Sequence, residues 1–126
     1  ADLILGLCGL AIFLGTLVTG AGPHAGDENA IRFNFDLRSI TRIHSETVLL
    51  CIASTLIFIM QVRKNASEWS RLKAKLETFL FVAVAQGGVG YLQYFSGVPA
   101  QLVAVHVALA VAVWISCLRL WIAVRH

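Results

Sequence analysis

The sequence contains few charged residues, and this scarcity excludes most soluble classes of protein. Only 13% of its 126 residues are charged and 58% are hydrophobic, whereas a soluble domain usually has about 25% charged and about 45–50% apolar residues. The mean hydropathy of +0.78 points the same way. We therefore exclude a soluble enzyme domain, a disordered chain and a disulfide-stapled secreted module.

Several motifs of soluble chemistry are also missing. There is no Cys-x-x-Cys pair, because the three cysteines lie far apart inside apolar runs, at Cys8, Cys51 and Cys117; buried, unreactive thiols are the expectation. A Walker loop, a dinucleotide fingerprint and a Ser-His-Asp set are absent too. The net charge of +3 does not indicate nucleic acid, because the basic residues cluster in one short connection and fit the role of setting membrane topology.

Four apolar runs are present, at about 3–20, 43–62, 79–95 and 102–124. Each is near the length of helix that crosses about 30 Å of hydrocarbon. The sequence therefore predicts an all-α fold, an integral membrane four-helix bundle that forms a single membrane domain in a lipid bilayer. The connection between the last two runs is very short, so these helices should be antiparallel neighbours, with Pro99 in the first turn of the fourth.

The basic residues predict the orientation of the bundle. The second connection and the C-terminal end carry seven of them, whereas the first connection carries three: Arg63, Lys64, Arg71, Lys73, Lys75, Arg119 and Arg125 against Arg32, Arg38 and Arg42. The positive-inside rule then places both termini in the cytoplasm and the 21–42 loop on the outward side.

Two histidines inside the spans are the sharpest functional candidates, because hydrocarbon penalises polar groups. His106 lies seven residues after Pro99, about 10 Å down its helix. His44 has a similar depth if its helix starts near Asp36 or Leu37. Two histidines at one depth on different helices can bind a planar metal cofactor from opposite faces, and haem iron is the natural candidate. The alternative is a pair of hydrogen-bonded packing residues; zinc would require more ligands.

Four further residues are weaker cofactor-binding candidates. Gln86 and Gln93 are seven apart in the third run and share a helical face, from which they could hydrogen-bond a cofactor edge or a neighbouring helix. Arg38 and Arg42 lie on the outward side, where haem propionates would emerge, and arginine suits carboxylates. A solvated or headgroup-facing arginine is the alternative reading.

A resemblance adds to this interpretation. The string VTGAGPHAGD at 18–27 resembles the signature after the fifth span of haem A synthases, and QGGVGYLQY at 86–94 with Val98-Pro99 resembles their seventh span. In that context His44 within RIHS and His106 within LVAVH match the two ligand histidines of the family's C-terminal four-helix half. The resemblance covers essentially the whole chain.

The resemblance implies a function and a set of partners. Family members have eight spans in two similar halves and oxidise a methyl group of haem O to the formyl group of haem A. The C-terminal half is thought to hold a b-type haem, here on the iron ligands His44 and His106. The implied location is a bacterial or archaeal plasma membrane, or the mitochondrial inner membrane. Haem O synthase and assembly factors of terminal oxidases are the further partners that it suggests.

The chain departs from the family at the substrate side. It has neither the Glu-x-x-His-Arg motif nor the outward cysteine pair of the N-terminal half, and it starts at Ala1. We therefore expect a piece or processed product of a haem A synthase-like oxidoreductase, completed by the N-terminal half or by a second copy, and not active alone. The alternatives are a stand-alone di-histidine cytochrome b and a non-haem assembly subunit of a respiratory complex.

Overall fold

The computed structural model describes residues 1–23, 31–34 and 36–126, and all of its regular elements are helices. They are α1 (Asp2–Ala21), α2 (Leu37–Val62), α3 (Ala66–Phe95) and α4 (Ala100–Arg125). The predicted all-α four-helix bundle is confirmed. Helices α1, α2 and α4 are long and apolar enough to cross a membrane, whereas α3, which contains the predicted 79–95 span, is not among the helices with that composition.

The start of α3 differs from the sequence-based expectation. The base-rich stretch after Val62 was expected to connect two spans, but it is helical from Ala66 onward. Two features explain the difference. The side chain of Asn65 accepts hydrogen bonds from the backbone N–H groups of Ser67 and Glu68, at 3.1 and 3.3 Å, which satisfies free donors at the helix start. The buried residues Leu72, Leu76 and Phe79 recur at helical spacing, so the charged residues occupy the other face of a helix.

The start of α2 sets the depth of His44. Asp36 caps the helix by accepting a hydrogen bond of 2.9 Å from the backbone N–H of Ser39. The bonds from Ser39 hold the pKa of the Asp36 carboxyl below its usual value. Because α2 begins at Leu37, His44 lies seven residues into it, about 10 Å along the axis. The condition under which His44 and His106 have similar depths is therefore met.

The four helices form a closed ring of neighbours. Helix α1 packs on α2 and α3 packs on α4, and the two pairs join through α1 with α4 and α2 with α3. No such packing joins α1 to α3 or α2 to α4 along these fully described helices. Helices α2 and α4 are therefore diagonal partners across the bundle axis. The connection of α3 to α4 spans only 96–99, with Pro99 as the cap of α4, as a short link between antiparallel helices requires.

The buried apolar core fills only one end of the bundle, which we call the basic end. This end contains the first residues of α1, the connection 63–65 and the last residues of α4. The carboxylate of Asp2 ties both terminal helices together there, accepting hydrogen bonds from Trp121 Nε1 at 2.7 Å and from Arg125 at 2.9 Å. Ten buried residues form the core cluster: Ile4, Cys8, Cys51, Val62, Leu72, Leu76, Phe79, Val113, Cys117 and Leu120.

The opposite end, which we call the histidine end, is packed more loosely. No residue of α3 after Ala83 is buried, nor any residue of α4 before Val113. All three cysteines lie in the core cluster and are buried and free, as their apolar surroundings predicted. The three thiols therefore belong to the packing of the basic end, away from the two candidate histidines.

The turn between α3 and α4 gives a first test of the fold. Gly97 and Val98 have backbone φ angles of 77° and 59°, a left-handed conformation that costs a residue with a Cβ atom roughly 1–2 kcal/mol. We therefore expect Gly97→Ala to lower the melting temperature and Val98→Gly to raise it, measured by circular dichroism in detergent. The two substitutions should therefore shift the melting temperature in opposite directions. A lower melting temperature for Val98→Gly contradicts the left-handed conformation of this turn.

Candidate functional site

The two intramembrane histidines meet across the diagonal of the bundle. His44 extends from α2 and His106 from α4, and their ring centroids lie 6.5 Å apart with the ring planes at 78°. Both side chains are partly buried. Each lies within about two turns of the start of its helix at the histidine end, so the matching depth predicted from the sequence brings the rings together. Among the candidate residues of α2 and α4, His44 and His106 are the pair whose rings contact each other across the bundle.

Each histidine ring rests against a glycine on the neighbouring helix. A Cβ atom at Gly15 of α1 would lie 3.2 Å from Cε1 of His44, and one at Gly90 of α3 would lie 2.9 Å from Cε1 of His106. The second distance is shorter than real Cβ contacts allow, so no larger residue fits at Gly90 unless His106 moves. The two helix pairs thus repeat one arrangement, with a glycine on the first helix and a histidine on the second.

A backbone hydrogen bond fixes the orientation of the His44 ring. Its Nδ1 lies 2.9 Å from the carbonyl oxygen of Ala11 in α1. Because that oxygen can only accept, Nδ1 carries the proton and donates, which leaves Nε2 with a free lone pair. Ala11 precedes Gly15 by one helical turn, so a single face of α1 supplies both contacts. Histidines that bind metals usually donate their second nitrogen in this way.

The backbone carbonyl of His106 accepts a hydrogen bond, whereas one nitrogen of its ring has no hydrogen-bond partner among the described residues. Nε2 of Gln86 donates a hydrogen bond of 2.7 Å to the carbonyl oxygen of His106, so the predicted contact of Gln86 with a neighbouring helix is present. Three buried polar atoms have no hydrogen-bond partner in the described part of the chain: His106 Nδ1, Gln86 Oε1 and Gln93 Oε1. Unpaired buried polar atoms are costly, and here all three belong to candidate site residues of α3 and α4.

The two arginine candidates do not lie with the histidines. Arg42 Nε forms an ion pair of 2.9 Å with Glu46, and its side chain is 80% exposed; Arg38 is exposed as well. Arg42 and Arg38 are four apart and share a face of α2, whereas His44 is only two residues from Arg42 and points elsewhere. They therefore lie on the outer surface of the bundle. The signature residues 24–27 of the 21–42 loop fall outside the described residues.

Three of these contacts could not be found from the sequence. Nothing in the spacing singles out Gly15 and Gly90 among the small residues of α1 and α3. The carbonyl of Ala11 is a backbone group and carries no sequence signal. Only the pairing of α1 with α2 and of α3 with α4 assigns each glycine to its histidine.

The arrangement suits a flat ligand that is bound from two sides. In the described ranges 1–23, 31–34 and 36–126, no group of three or more His, Cys, Asp or Glu residues could hold a metal ion by itself. Two imidazoles on diagonal helices are one donor set that could hold a porphyrin iron, since the porphyrin ring supplies the other four ligands. Comparison of the chain with protein-family models, curated proteins and solved structures found no match.

The glycine contacts generate a second prediction. Gly88 is on the same helix as Gly90, but a Cβ atom there would meet nothing within 4 Å. Gly88→Ala should therefore raise the unfolding temperature, because alanine is favoured in a helix by about 1 kcal/mol. Gly90→Ala should lower it, since His106 has to move. Thermal unfolding in detergent, followed by circular dichroism, measures both; equal gains for the two variants would refute close packing at Gly90.

Proposed function

We propose that this chain binds one b-type haem between His44 and His106, as the cofactor half of a haem A synthase-like membrane oxidoreductase. The observation that carries the proposal is the placement of the two rings, 6.5 Å apart on diagonal helices. The motifs at 18–27 and 86–94 support the family, and the geometry of the histidines supports the cofactor.

The spacing of the rings fits two ligands of one metal. Imidazole nitrogens bind divalent metals at about 2.0–2.1 Å, so two imidazoles on opposite sides of one ion have centroids separated by about 6.3 Å. The distance of 6.5 Å between the ring centroids of His44 and His106 is close to this separation.

The residues of the chain have separate tasks in this proposal. His44 and His106 bind the iron, and the carbonyl of Ala11 keeps the proton of His44 on Nδ1 so that Nε2 is free. Gln86 holds the backbone of His106, while Gly15 and Gly90 let the rings approach the helix backbones. Gln93 remains a candidate for a hydrogen bond to the cofactor edge, whereas Arg38 and Arg42 lie on the outer surface of α2 and are not assigned to the cofactor. Bound haem would supply one-electron transfer.

Enzyme activity requires more than this chain. We infer that the conversion of haem O to haem A takes place on a partner half that carries the Glu-x-x-His-Arg motif, while this chain would hold the b-type haem. The described residues offer no second pair of histidines for a substrate haem. A chain of this kind is expected to be coloured but inactive on its own.

Absorption spectroscopy tests the cofactor assignment. Purified protein reconstituted with haem b should show a low-spin Soret band. His44→Ala and His106→Ala should each abolish the low-spin form by removing one axial ligand, whereas His126→Ala, at an exposed position, should leave the spectrum unchanged. Circular dichroism verifies that all variants fold. Unaltered spectra of both ligand variants contradict the proposal.

A turnover assay separates the family assignment from haem binding. Haem O should be converted to haem A only when the chain is combined with an N-terminal half that contains the Glu-x-x-His-Arg motif, and His106→Ala should reduce that conversion. Conversion of haem O by this chain alone would contradict the assignment of that reaction to the partner half. Haem binding without conversion in the presence of that half favours a stand-alone di-histidine cytochrome b.

A further inference from the structure

A cleft at the basic end of the bundle has no role in haem binding. It is a shallow, open cleft of about 430 Å³ between α3 and α4, and its lining combines positive charge with an apolar wall: Arg71, Lys75, Arg119, Ile122, Ala123 and His126. The candidate histidines lie at the other end of the bundle. Arg119 is thirteen residues after His106 in α4, about 20 Å along the axis.

Two of the cations in this cleft have no counter-charge. Arg71 is held in place, since it bonds Glu68 and donates to the carbonyl oxygen of Ala123. Neighbouring cations outside the cleft are neutralised as well, Lys73 by Glu77 and Arg125 by Asp2. In contrast, no carboxylate of the described residues lies within ion-pair distance of Lys75 or Arg119.

The position of Arg119 along α4 corresponds to a membrane surface. Helix α4 begins at Ala100 and is apolar enough to span a bilayer. Arg119 is nineteen residues further along, which is about 29 Å of helix and close to the hydrocarbon thickness of about 30 Å. If the start of α4 lies at one boundary of the hydrocarbon, Arg119 and the cleft lie at the level of the phosphates on the other side.

We propose that this cleft binds the phosphate headgroup of an anionic phospholipid. Lys75 and Arg119 bind the phosphate, and Ile122 and Ala123 contact the start of an acyl chain. Basic pockets between membrane helices are suited to such headgroups. An apolar wall favours a lipid over a free anion, because inorganic phosphate has nothing to bury against it. The positive-inside expectation places the cleft in the leaflet that faces the cytoplasm.

Native mass spectrometry of the whole chain tests the proposal. The protein is extracted from vesicles that contain equal amounts of phosphatidylglycerol and phosphatidylcholine, and the retained lipids are counted. Wild-type protein should retain phosphatidylglycerol preferentially. The Lys75→Gln/Arg119→Gln variant should retain at least about tenfold less phosphatidylglycerol, because each cation near a membrane surface contributes measurably to the binding of anionic lipid.

A matched control separates a site from general charge. Arg63→Gln/Lys64→Gln removes the same charge from the same end of the bundle, at exposed residues outside the cleft, and should keep the preference. Equal losses in both double variants would show attraction by net charge alone and overturn the site. Equal retention of the two lipids by wild-type protein overturns it too.

A phosphate competition and a set of single variants distinguish the remaining explanations of the result. Excess inorganic phosphate should not displace the lipid; displacement at comparable concentration would assign the cleft to a free anion. If the double variant loses helicity by circular dichroism, the single variants Lys75→Gln and Arg119→Gln are compared with Lys64→Gln. The measurement is made without added haem, so its failure leaves the assignment of His44 and His106 untouched.

Discussion

The structure depends on the close approach of two helix pairs at glycines. Because Gly15 and Gly90 have no side chain, a histidine of the neighbouring helix lies directly against each helix backbone. The two rings then meet on the diagonal of the bundle, where α2 and α4 do not otherwise pack. A methyl group at Gly90 would displace His106. The position of the His106 ring in the candidate site therefore depends on the absence of a Cβ atom at Gly90.

Stability and binding are divided between the two ends of the bundle. The basic end contains the buried core and the bonds of Asp2 to Trp121 and Arg125, which join the first and last helices. The histidine end has few buried residues and several unpaired polar atoms. A core that holds the helices together at one end lets the other end keep polar groups inside it, and the cost of those groups is lowered when a ligand pairs with them.

Much of the fold follows from the sequence, because the length and hydropathy of the four apolar runs predict four helices. The depth of His106 was predictable from Pro99, whereas that of His44 followed only once α2 was found to begin at Leu37. The helical start of α3 was not predictable, because charged residues hid the spacing of Leu72, Leu76 and Phe79. The partners of the histidines were equally hidden: they depend on which helices become neighbours, and one of them, the carbonyl of Ala11, is a backbone atom.

The central claim is that His44 and His106 bind one iron with their ring planes nearly perpendicular. Electron paramagnetic resonance of the ferric protein, reconstituted with haem b, tests both parts of this claim at once, because ligand number sets the spin state and the angle between the imidazole planes sets the anisotropy of the signal. The angle of 78° predicts a strongly anisotropic low-spin signal that disappears in His44→Ala and in His106→Ala. A high-spin signal from wild-type protein, or a low-spin signal that survives either substitution, contradicts the account.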